Sequence, residues 1–321
     1  MVDWHAGHEA ARYGGTVVTH LAEATAPTGA GWRALLTAYG RAQESRESAA
    51  RFDDPFASMF IGAVTGAGTV DDGGFPRLGL AVDDDSSLLW KALRCYFCAR
   101  TPFYDQYVLR AVEAGCRQVV LVAAGLDSRA FRLGLGEDVT LFELDQAAVL
   151  DFKQAVLDEH GALPTCKRVP LAVDRRDDWP RALSAAGFDA SRPTAWLAEG
   201  LLMYLTRDDA DQLLASITAL SAPGSRLAAE YFSAKWREPD AALADKREKA
   251  AWESLLKPFR YAPAGRSPAT WLSGHGWTPD QATTIIQLGS RQGREYVPPE
   301  FARPGAPQVL LFDGTYEPAH A

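Results

Sequence analysis

Basic residues and cysteines are both scarce in this chain of 321 residues. Lys and Arg total 33 against 41 Asp and Glu, which gives a formal net charge of −8. That sign disfavours proteins that neutralise the phosphates of a nucleic acid or adhere to an anionic membrane. Four cysteines are too few for a disulfide framework. We therefore expect a cytoplasmic protein with neither a nucleic-acid nor a membrane partner.

Long hydrophobic runs, secretion signals and metal-binding patterns are also missing. No stretch approaches the roughly 20 apolar residues that span a bilayer. The start, MVDWHAGHEAARYGG, lacks the basic region and apolar stretch typical of a secretory signal. Cys95 and Cys98 have CxxC spacing, but no second pair follows, and a structural zinc site takes four such ligands. We expect two small apolar side chains on a helix and no bound metal.

The composition that is present is that of a globular α/β protein, with 47% hydrophobic and 23% charged residues. Gln118–Ala124 (QVVLVAA) is a continuous apolar run, typical of a strand buried on both faces. Six more segments have strand character: Val139–Leu144, Lys167–Val173, Thr194–Ala198, Arg226–Phe232, Thr283–Leu288 and Gln308–Phe312. Helical patterns separate most of them, which predicts a largely parallel sheet with helices on both faces.

The order of these segments also predicts how the chain is organised. A loop rather than a long helix separates the last two strand candidates, so an antiparallel pair is expected at the C-terminal edge. Helices are expected around Trp32–Glu47 and over Ser86–Ala114, with a turn-rich exposed loop at Thr65–Pro76. Because one sheet uses up the strands, we predict a single domain over 1–321, with a helical N-terminal cap at 1–115, a core at 116–321 and a lid insertion at about 233–270.

Two signals at the carboxyl ends of the first two strands indicate a nucleotide-like ligand. Gly125 ends the first strand and can bring its backbone close to a ligand, although the sequence is neither GxGxxG nor a Walker loop. Asp145 ends the second strand about 20 residues later, the spacing at which an acid accepts hydrogen bonds from ribose hydroxyls. A plain turn at Gly125 and a helix cap by Asp145 are the alternatives.

Acids follow the third and fourth strands as well. Asp174 could hydrogen-bond an adenine amino group. Glu199 follows a buried apolar run, where a carboxylate is costly without a cationic partner or hydrogen-bond donors. A ligand ammonium would serve, and so would an internal arginine, which we favour from the residues alone.

The chain resembles the leucine carboxyl methyltransferase family, in particular its bacterial branch of S-adenosylmethionine-dependent methyltransferases. The segments that carry the resemblance are RAQES (41–45), DPFA (54–57), ARTPFYD (99–105), QVVLVAAGLDSRAFRL (118–133), FELD (142–145), DFK (151–153) and AEGLLMYL (198–205). The resemblance implies the class I methyltransferase fold, a Rossmann-like seven-stranded sheet whose last strand is antiparallel. It is weakest in the 233–270 insertion and in the C-terminal third.

The resemblance also implies roles toward S-adenosylmethionine. It implies that Arg100 pairs with the methionyl carboxylate, that Ala123 and Gly125 line the turn beneath it, and that Glu199 meets the methionyl ammonium. Asp145 is implied to take the ribose hydroxyls, while Asp174 and Arg175 flank the adenine. Two positions depart from the family pattern. Ala123 stands where eukaryotic members have Gly, and Arg175 stands where Leu is usual, so its contact can be through the backbone only.

The methyl acceptor is less defined by the sequence. An ionised carboxylate needs no base, whereas a phenol, with a pKa near 10, benefits from a nearby histidine. His275 and Tyr204 are the candidate acceptor contacts, and the lack of a convincing base favours a carboxylate. We predict an O-methyltransferase acting on a carboxylate or hydroxyl of a small molecule in secondary metabolism.

Other functions stay open at this point. The aromatic and cationic residues of the insertion suit a planar acid by stacking and charge pairing, or they pack the insertion onto the sheet. The alternatives to a small-molecule enzyme are a protein carboxyl methyltransferase and a cofactor-binding regulatory protein without turnover. A nicotinamide-dependent oxidoreductase shares the glycine and the acid but has the GxGxxG motif that this chain lacks.

Overall fold

The computed structural model of the protein describes residues 30–64, 87–173, 178–234, 249, 252–253, 255–260, 266–291 and 307–318. The described strands form one seven-stranded sheet in the order β3-β2-β1-β4-β5-β7-β6. Their bounds are β1 Gln118–Val122, β2 Thr140–Asp145, β3 Lys167–Ala172, β4 Thr194–Ala198, β5 Arg226–Phe232, β6 Trp277–Thr284 and β7 Val309–Tyr316. The predicted seven-stranded, mostly parallel sheet with an antiparallel last strand is confirmed.

Strand direction in the sheet places the ligand crevice. β1 pairs in parallel with both β2 and β4, while β7 runs antiparallel to β5 and to β6. The strand order therefore reverses between β1 and β4. In open sheets of this kind, ligands bind outside the carboxyl ends of the strands at such a switch point. The residues just after β1, β2 and β4 meet there.

Helices cover both faces of the sheet and bury its side chains. In the described ranges they are α1 Ala30–Ser45, α2 Pro55–Val64, α3 Leu88–Glu113, α4 Arg129–Arg132, α5 Ala147–Glu159, α6 Trp179–Ala185, α7 Arg207–Ala219, α8 Pro268–Ser273 and α9 Ile285–Arg291. Alternate residues of one strand belong to different cores, because successive side chains point to opposite faces. Leu121 packs with α1–α3 and α5, whereas Val120 packs with α6, α7 and α8.

The N-terminal helices make one of these two cores. Tyr39 of α1, Phe60 of α2 and Tyr104 of α3 are all fully buried there against the sheet. Ser87 caps α3 by accepting a hydrogen bond from the backbone N–H of Trp90 at 2.9 Å. The single domain with a cap at 1–115 stays a prediction, and the insertion at 233–270 and the loop at Thr65–Pro76 lie largely or wholly outside the described residues.

The C-terminal edge of the sheet differs from the sequence prediction in one strand. The predicted strand Thr283–Leu288 is wrong over most of its length, because β6 ends at Thr284 and Ile285 begins α9. β6 is an exposed edge strand with a bulge at Pro279, so it has little of the apolar pattern that identifies a strand. The apolar residues that follow it belong to the buried side of α9.

Candidate active site

A cavity of about 1050 Å³ opens at the carboxyl ends of β1, β2 and β4. Of the predicted cofactor and acceptor residues, the cavity lining includes Arg100, Ala123, Gly125, Asp145, Glu199 and Tyr204. Asp174 and Arg175, predicted at the adenine, lie outside the described residues. The crevice therefore brings together six side chains or turn positions that are up to 104 residues apart in sequence, between Arg100 and Tyr204.

The turn after β1 has a strained geometry that suits close approach of a ligand. Ala123 has a φ of 61° and Gly125 a φ of 52°, both in the left-handed region. That region costs an L-residue with a Cβ roughly 1–2 kcal/mol. Ala123, which departs from the family pattern, thus adopts a backbone conformation that glycine adopts freely. Such strain persists where the surrounding structure fixes it, and it clusters at ligand sites.

Asp145 joins this turn to the end of β2. Its carboxylate accepts hydrogen bonds from the backbone N–H of Gly125 at 2.6 Å and of Gln146 at 2.7 Å. Burial raises the pKa of Asp145, although these two hydrogen bonds act in the opposite direction. Gln146, not Asp145, is the N-cap residue of α5 and makes no side-chain cap. The capping alternative therefore does not account for Asp145.

Glu199 has internal partners, as the residues alone favoured. Its carboxylate lies 2.9 Å from Nε of Arg100 and 2.8 Å from Nη1 of Arg129. Arg100 and Arg129 are almost fully buried. This pairing relieves the cost of a buried carboxylate, and it leaves the predicted contact of Glu199 with a ligand ammonium untested.

These ion pairs extend into one continuous network beneath the cavity. Four arginines with side chains at most 8% exposed (41, 100, 129 and 132) connect five carboxylates (Asp54, Asp105, Asp127, Glu199 and Glu230) through contacts of 3.9 Å or less. Four cations against five anions give the network one net negative charge when all are ionised. The network joins α1, the start of α2, α3, α4 and the ends of β4 and β5, so it also attaches the N-terminal helices to the sheet.

Glu230 in β5 is a part of this site that the sequence analysis missed. It is fully buried and accepts hydrogen bonds from Tyr96 Oη at 2.6 Å, the backbone N–H of Gly200 at 2.7 Å, Arg100 Nη1 at 3.0 Å and Tyr104 Oη. Burial raises the pKa of Glu230, while neighbouring Arg100 acts to lower it. The signal that could have revealed it is a lone ionisable residue inside the apolar strand RLAAEYF.

The cavity lining around Tyr204 is aromatic and carries a cation. Cζ of Arg33, on α1, lies 4.8 Å from the ring centroid of Tyr204. The Tyr204 ring packs edge-on against Phe259 at 4.9 Å, and Phe259 in turn contacts Phe232 at 5.6 Å. Burial raises the pKa of Tyr204, with Arg33 and Arg100 acting to lower it. Tyr204 therefore packs with the aromatic residues of the lining and is also close enough to Arg100 of the ion network to be affected by its charge.

Histidine is absent from the described lining of the cavity. His275 follows α8 with its Nε2 3.8 Å from Oδ1 of Asp211, and α8 packs on the sheet face opposite α1–α3. His160 Nδ1 lies 2.8 Å from the backbone oxygen of Val156 at the end of α5. The structure does not bring the predicted acceptor contact His275 to the cavity, because its helix covers the other core.

The two cysteines of the CxxC pair both lie on α3. Burial raises the pKa of Cys95 to about 11 and that of Cys98 to about 12, so neither thiol is ionised at neutral pH. Among the described residues, no group of three or more His, Cys, Asp and Glu side chains has the arrangement of a metal site. No described helix has the length and apolarity needed to cross a membrane.

A profile of the leucine carboxyl methyltransferase family matches residues 34–218, more than half of the chain. The chain belongs to the leucine carboxyl methyltransferase family. It is an S-adenosylmethionine-dependent methyltransferase, and its seven-stranded sheet agrees with the class I fold.

Mycobacterial relatives carry the same assignment in their names. The chain is 41% identical over 282 residues to a protein of Mycobacterium bovis (strain BCG / Pasteur 1173P2), covering 85% of this chain and 90% of that protein. It is 42% identical over 259 residues to a second protein of that strain, with coverages of 77% and 79%. A Mycobacterium avium (strain 104) protein is 49% identical over 198 residues, covering 60% of this chain and 63% of the relative. All three are named "Putative S-adenosyl-L-methionine-dependent methyltransferase".

Proposed function

We propose that this methyltransferase acts on an oxygen of a small molecule of secondary metabolism, and that the oxygen belongs to a carboxylate. The observation that carries the proposal is the lack of a histidine base in the described part of the cavity, where Cys95 and Tyr204 also have raised pKa values. An ionised carboxylate is already a nucleophile at neutral pH, since its pKa is near 4. A phenol or alcohol would have to lose a proton, and histidine, the residue that most often accepts it, is absent from the described lining. The carboxylates of that lining are assigned to the cofactor, pair with Arg129 or lie at the start of α7.

The cofactor is proposed to lie along the ends of β1, β2 and β4. Asp145 presents a carboxylate beside the Gly125 turn and would hold the ribose hydroxyls. Arg100 would meet the methionyl carboxylate, because a guanidinium recognises a carboxylate through paired N–H groups. Its Nη1 and Nε already face Glu230 and Glu199, but Nη2 makes no hydrogen bond with a described residue, so the N–H groups of Nη2 are available. Glu199 would bind the methionyl ammonium as a third cationic partner, besides Arg100 and Arg129.

The charge of the site fits a sulfonium cofactor. The network of four arginines and five carboxylates carries one net negative charge when ionised, and Asp145 adds another at its edge. A cation held near such a network gains more than it would in water, since the buried surroundings screen charge weakly. The residues present therefore fit S-adenosylmethionine, whose sulfur is positively charged.

The protein's part in the reaction is positioning and exclusion of water. When bound, the cofactor supplies the methyl group: the acceptor oxygen forms a C–O bond while the C–S bond breaks and its electron pair stays on sulfur. The buried ion network fixes Arg100 and Glu199 rigidly, so the proposed contacts are preorganised. The apolar walls around Phe232 and Phe259 keep water from the acceptor, which strengthens attraction between the opposite charges.

The experiment is methyl transfer from S-adenosylmethionine labelled in the methyl group, followed by treatment of the products with base. Methyl esters release labelled methanol in base, whereas methyl ethers of phenols are stable. Base-labile label on small acids supports the proposal. Base-stable label would show that a hydroxyl is the acceptor, and base-labile label only on protein would indicate a protein carboxyl methyltransferase. Cofactor binding with no transfer to any acid, phenol or protein would indicate a regulatory protein without turnover.

A further inference from the structure

Two arginines at the cavity differ from all the others that line it. Arg41, Arg100, Arg129 and Arg132 each pair with at least one buried carboxylate. Arg33 and Arg260 also line the cavity, but neither has a carboxylate partner among the described residues. Arg260 donates only to backbone oxygens and is exposed, whereas Arg33 is half-buried on α1. A half-buried cation that has no carboxylate partner among the described residues is a candidate site for the anionic group of a ligand.

Tyr204 supplies a second polar group at the same place. The Arg33 guanidinium lies over its ring, 4.8 Å from Cζ to the ring centroid. Stacking on an aromatic face leaves the N–H edges of a guanidinium free to hold a carboxylate in plane. The Tyr204 hydroxyl makes no hydrogen bond with a described residue although it lines the cavity. Arg33 and Tyr204 thus offer N–H and O–H donors that no described acceptor uses.

The wall beyond this pair is apolar. Leu93 on α3, Trp252, Leu255, Phe259 and Phe232 line the cavity around Tyr204. Trp252 is buried against Leu89, and the Phe232, Phe259 and Tyr204 rings form a continuous contact. The carboxylates of the lining belong to other elements: Asp127, Asp145 and Glu199 at the strand ends and Asp209 at the start of α7. Buried Glu230 is close enough to act on the pKa of Tyr204, and Arg100 pairs with Glu230 at 3.0 Å. A molecule with a single anionic group and an apolar body matches this arrangement of charge and surface.

We infer that Arg33 and Tyr204 form the receptor for the acceptor's carboxylate, and that the acceptor is an apolar carboxylic acid whose body lies against the Phe232 and Phe259 wall. This inference rests on the proposed function and narrows its substrate class. Methylation turns the carboxylate into a neutral ester without any proton leaving it. The charge attraction to Arg33 is then lost, so the product binds less tightly than the substrate and leaves the cavity.

The test is binding of octanoate, benzoate and phenylacetate, each against its neutral primary amide, to the full chain saturated with S-adenosylhomocysteine. Calorimetry on the wild type is expected to give at least one acid that binds about tenfold or more tighter than its amide, as for a hydrogen-bonded charge pair. Arg33→Gln should reduce that preference to about onefold, and Tyr204→Phe should reduce it about threefold by removing one neutral donor. Arg192→Gln is the control, because Arg192 is exposed and distant from the cavity lining.

Two readouts separate failure of this inference from failure of the proposed function. Arg33→Gln should bind S-adenosylhomocysteine as the wild type does and should raise KM for a methylated acid much more than it lowers kcat. Equal binding of acids and amides by the wild type, no binding of any of the three acids, or a preference that survives Arg33→Gln would overturn the receptor. Base-stable methylation of phenols would overturn the carboxylate proposal instead, whatever the behaviour of Arg33.

Discussion

Asp54 offers a sharp test of how the ion network holds the N-terminal helices. It is fully buried and lies 3.9 Å from Nε of Arg132, and its two carboxylate oxygens have different, closer partners. Oδ2 accepts a hydrogen bond from Arg41 Nε at 2.7 Å, and Oδ1 accepts one from the backbone N–H of Ala57 at 3.1 Å, which caps α2. Asp54→Asn keeps the cap oxygen but turns an amide N–H₂ toward the Arg41 donor. Asp54→Ala removes both contacts.

The expected cost follows from these contacts. Breaking a buried ion pair by changing one partner costs about 3–5 kcal/mol, and losing a helix cap adds about 1 kcal/mol. An unfolding entropy of about 2.1 cal/mol/K per residue over a chain of this length converts 3–5 kcal/mol into a fall in Tm of about 4–7 °C for Asp54→Asn. Asp54→Ala should fall about 1–2 °C further. Thermal unfolding followed by circular dichroism measures both.

The pH dependence of thermal stability tests the contact between Asp54 and Arg41 independently. Burial alone would raise the pKa of Asp54, but Arg41, Arg132 and the hydrogen bonds from Arg41 and Ser128 outweigh it and hold the pKa below the ordinary 3.8. Because the pKa of Asp54 is lower in the folded protein than in the unfolded chain, the ionised carboxylate stabilises the fold. This contribution to the free energy of unfolding is fully present above pH 3.8 and is lost as the pH falls through the pKa of the folded state. The Tm gap between wild type and Asp54→Asn should therefore narrow below that pH.

The neighbouring Asp53→Asn is the control, because Asp53 is exposed one residue away. Its Tm should stay within about 1 °C of the wild type, as for most surface substitutions. An Asp54→Asn variant as stable as Asp53→Asn at pH 7 would refute the reasoning. A Tm difference between the wild type and Asp54→Asn that increases below pH 3.8 would also refute it.

Two further substitutions test the turn and the sheet core. Ala123→Gly should raise stability by up to about 1 kcal/mol by relieving a positive φ. Ala215→Gly, at an exposed position of α7, should lower stability by about 1 kcal/mol. Equal losses for the two variants in denaturant unfolding would contradict strain at Ala123. Lys153→Met should cost about 1.5–3 kcal/mol, because it removes Lys153 Nζ from a fully buried pair with the Glu143 carboxylate, 2.9 Å away. Arg168 Nη2 still holds Glu143 at 2.8 Å, so the carboxylate is not left unpaired. Exposed Lys167→Met should cost less than about 0.5 kcal/mol, and similar losses for the two lysines would argue against a paired charge.

Much of the sheet could be predicted because its central strands have a strong local signal. β4 and β5 begin and end where the sequence analysis placed them, since a strand covered on both faces must be apolar along its whole length. β6 was misplaced for the opposite reason. It is exposed at the sheet edge and contains a proline, so nothing in its pattern marks it, while the apolar residues after it serve a helix.

Some residues of the candidate site could likewise be predicted from the sequence, and others could not. Gly125 and Asp145 could be found from their spacing, because both end neighbouring strands of one βαβ unit. Glu230 and Arg33 could not, because their meaning depends on residues far away in sequence: Glu230 accepts from Tyr96, 134 positions earlier, and Arg33 lies over Tyr204. The motifs of the family resemblance supply many of the charges that connect these elements, including Asp54, Asp105 and Arg129.

The most direct measurement is calorimetric binding of S-adenosylhomocysteine to the wild type and to Asp145→Ala, with exposed Asp158→Ala as the control. The account predicts binding by the wild type and by Asp158→Ala with the same Kd. It predicts about 5–150-fold weaker binding by Asp145→Ala, which corresponds to the loss of about 1–3 kcal/mol from a charged hydrogen-bond acceptor. Binding by Asp145→Ala as tight as that of the wild type, or no binding by the wild type, would contradict the assignment of the cofactor to the crevice between β1, β2 and β4.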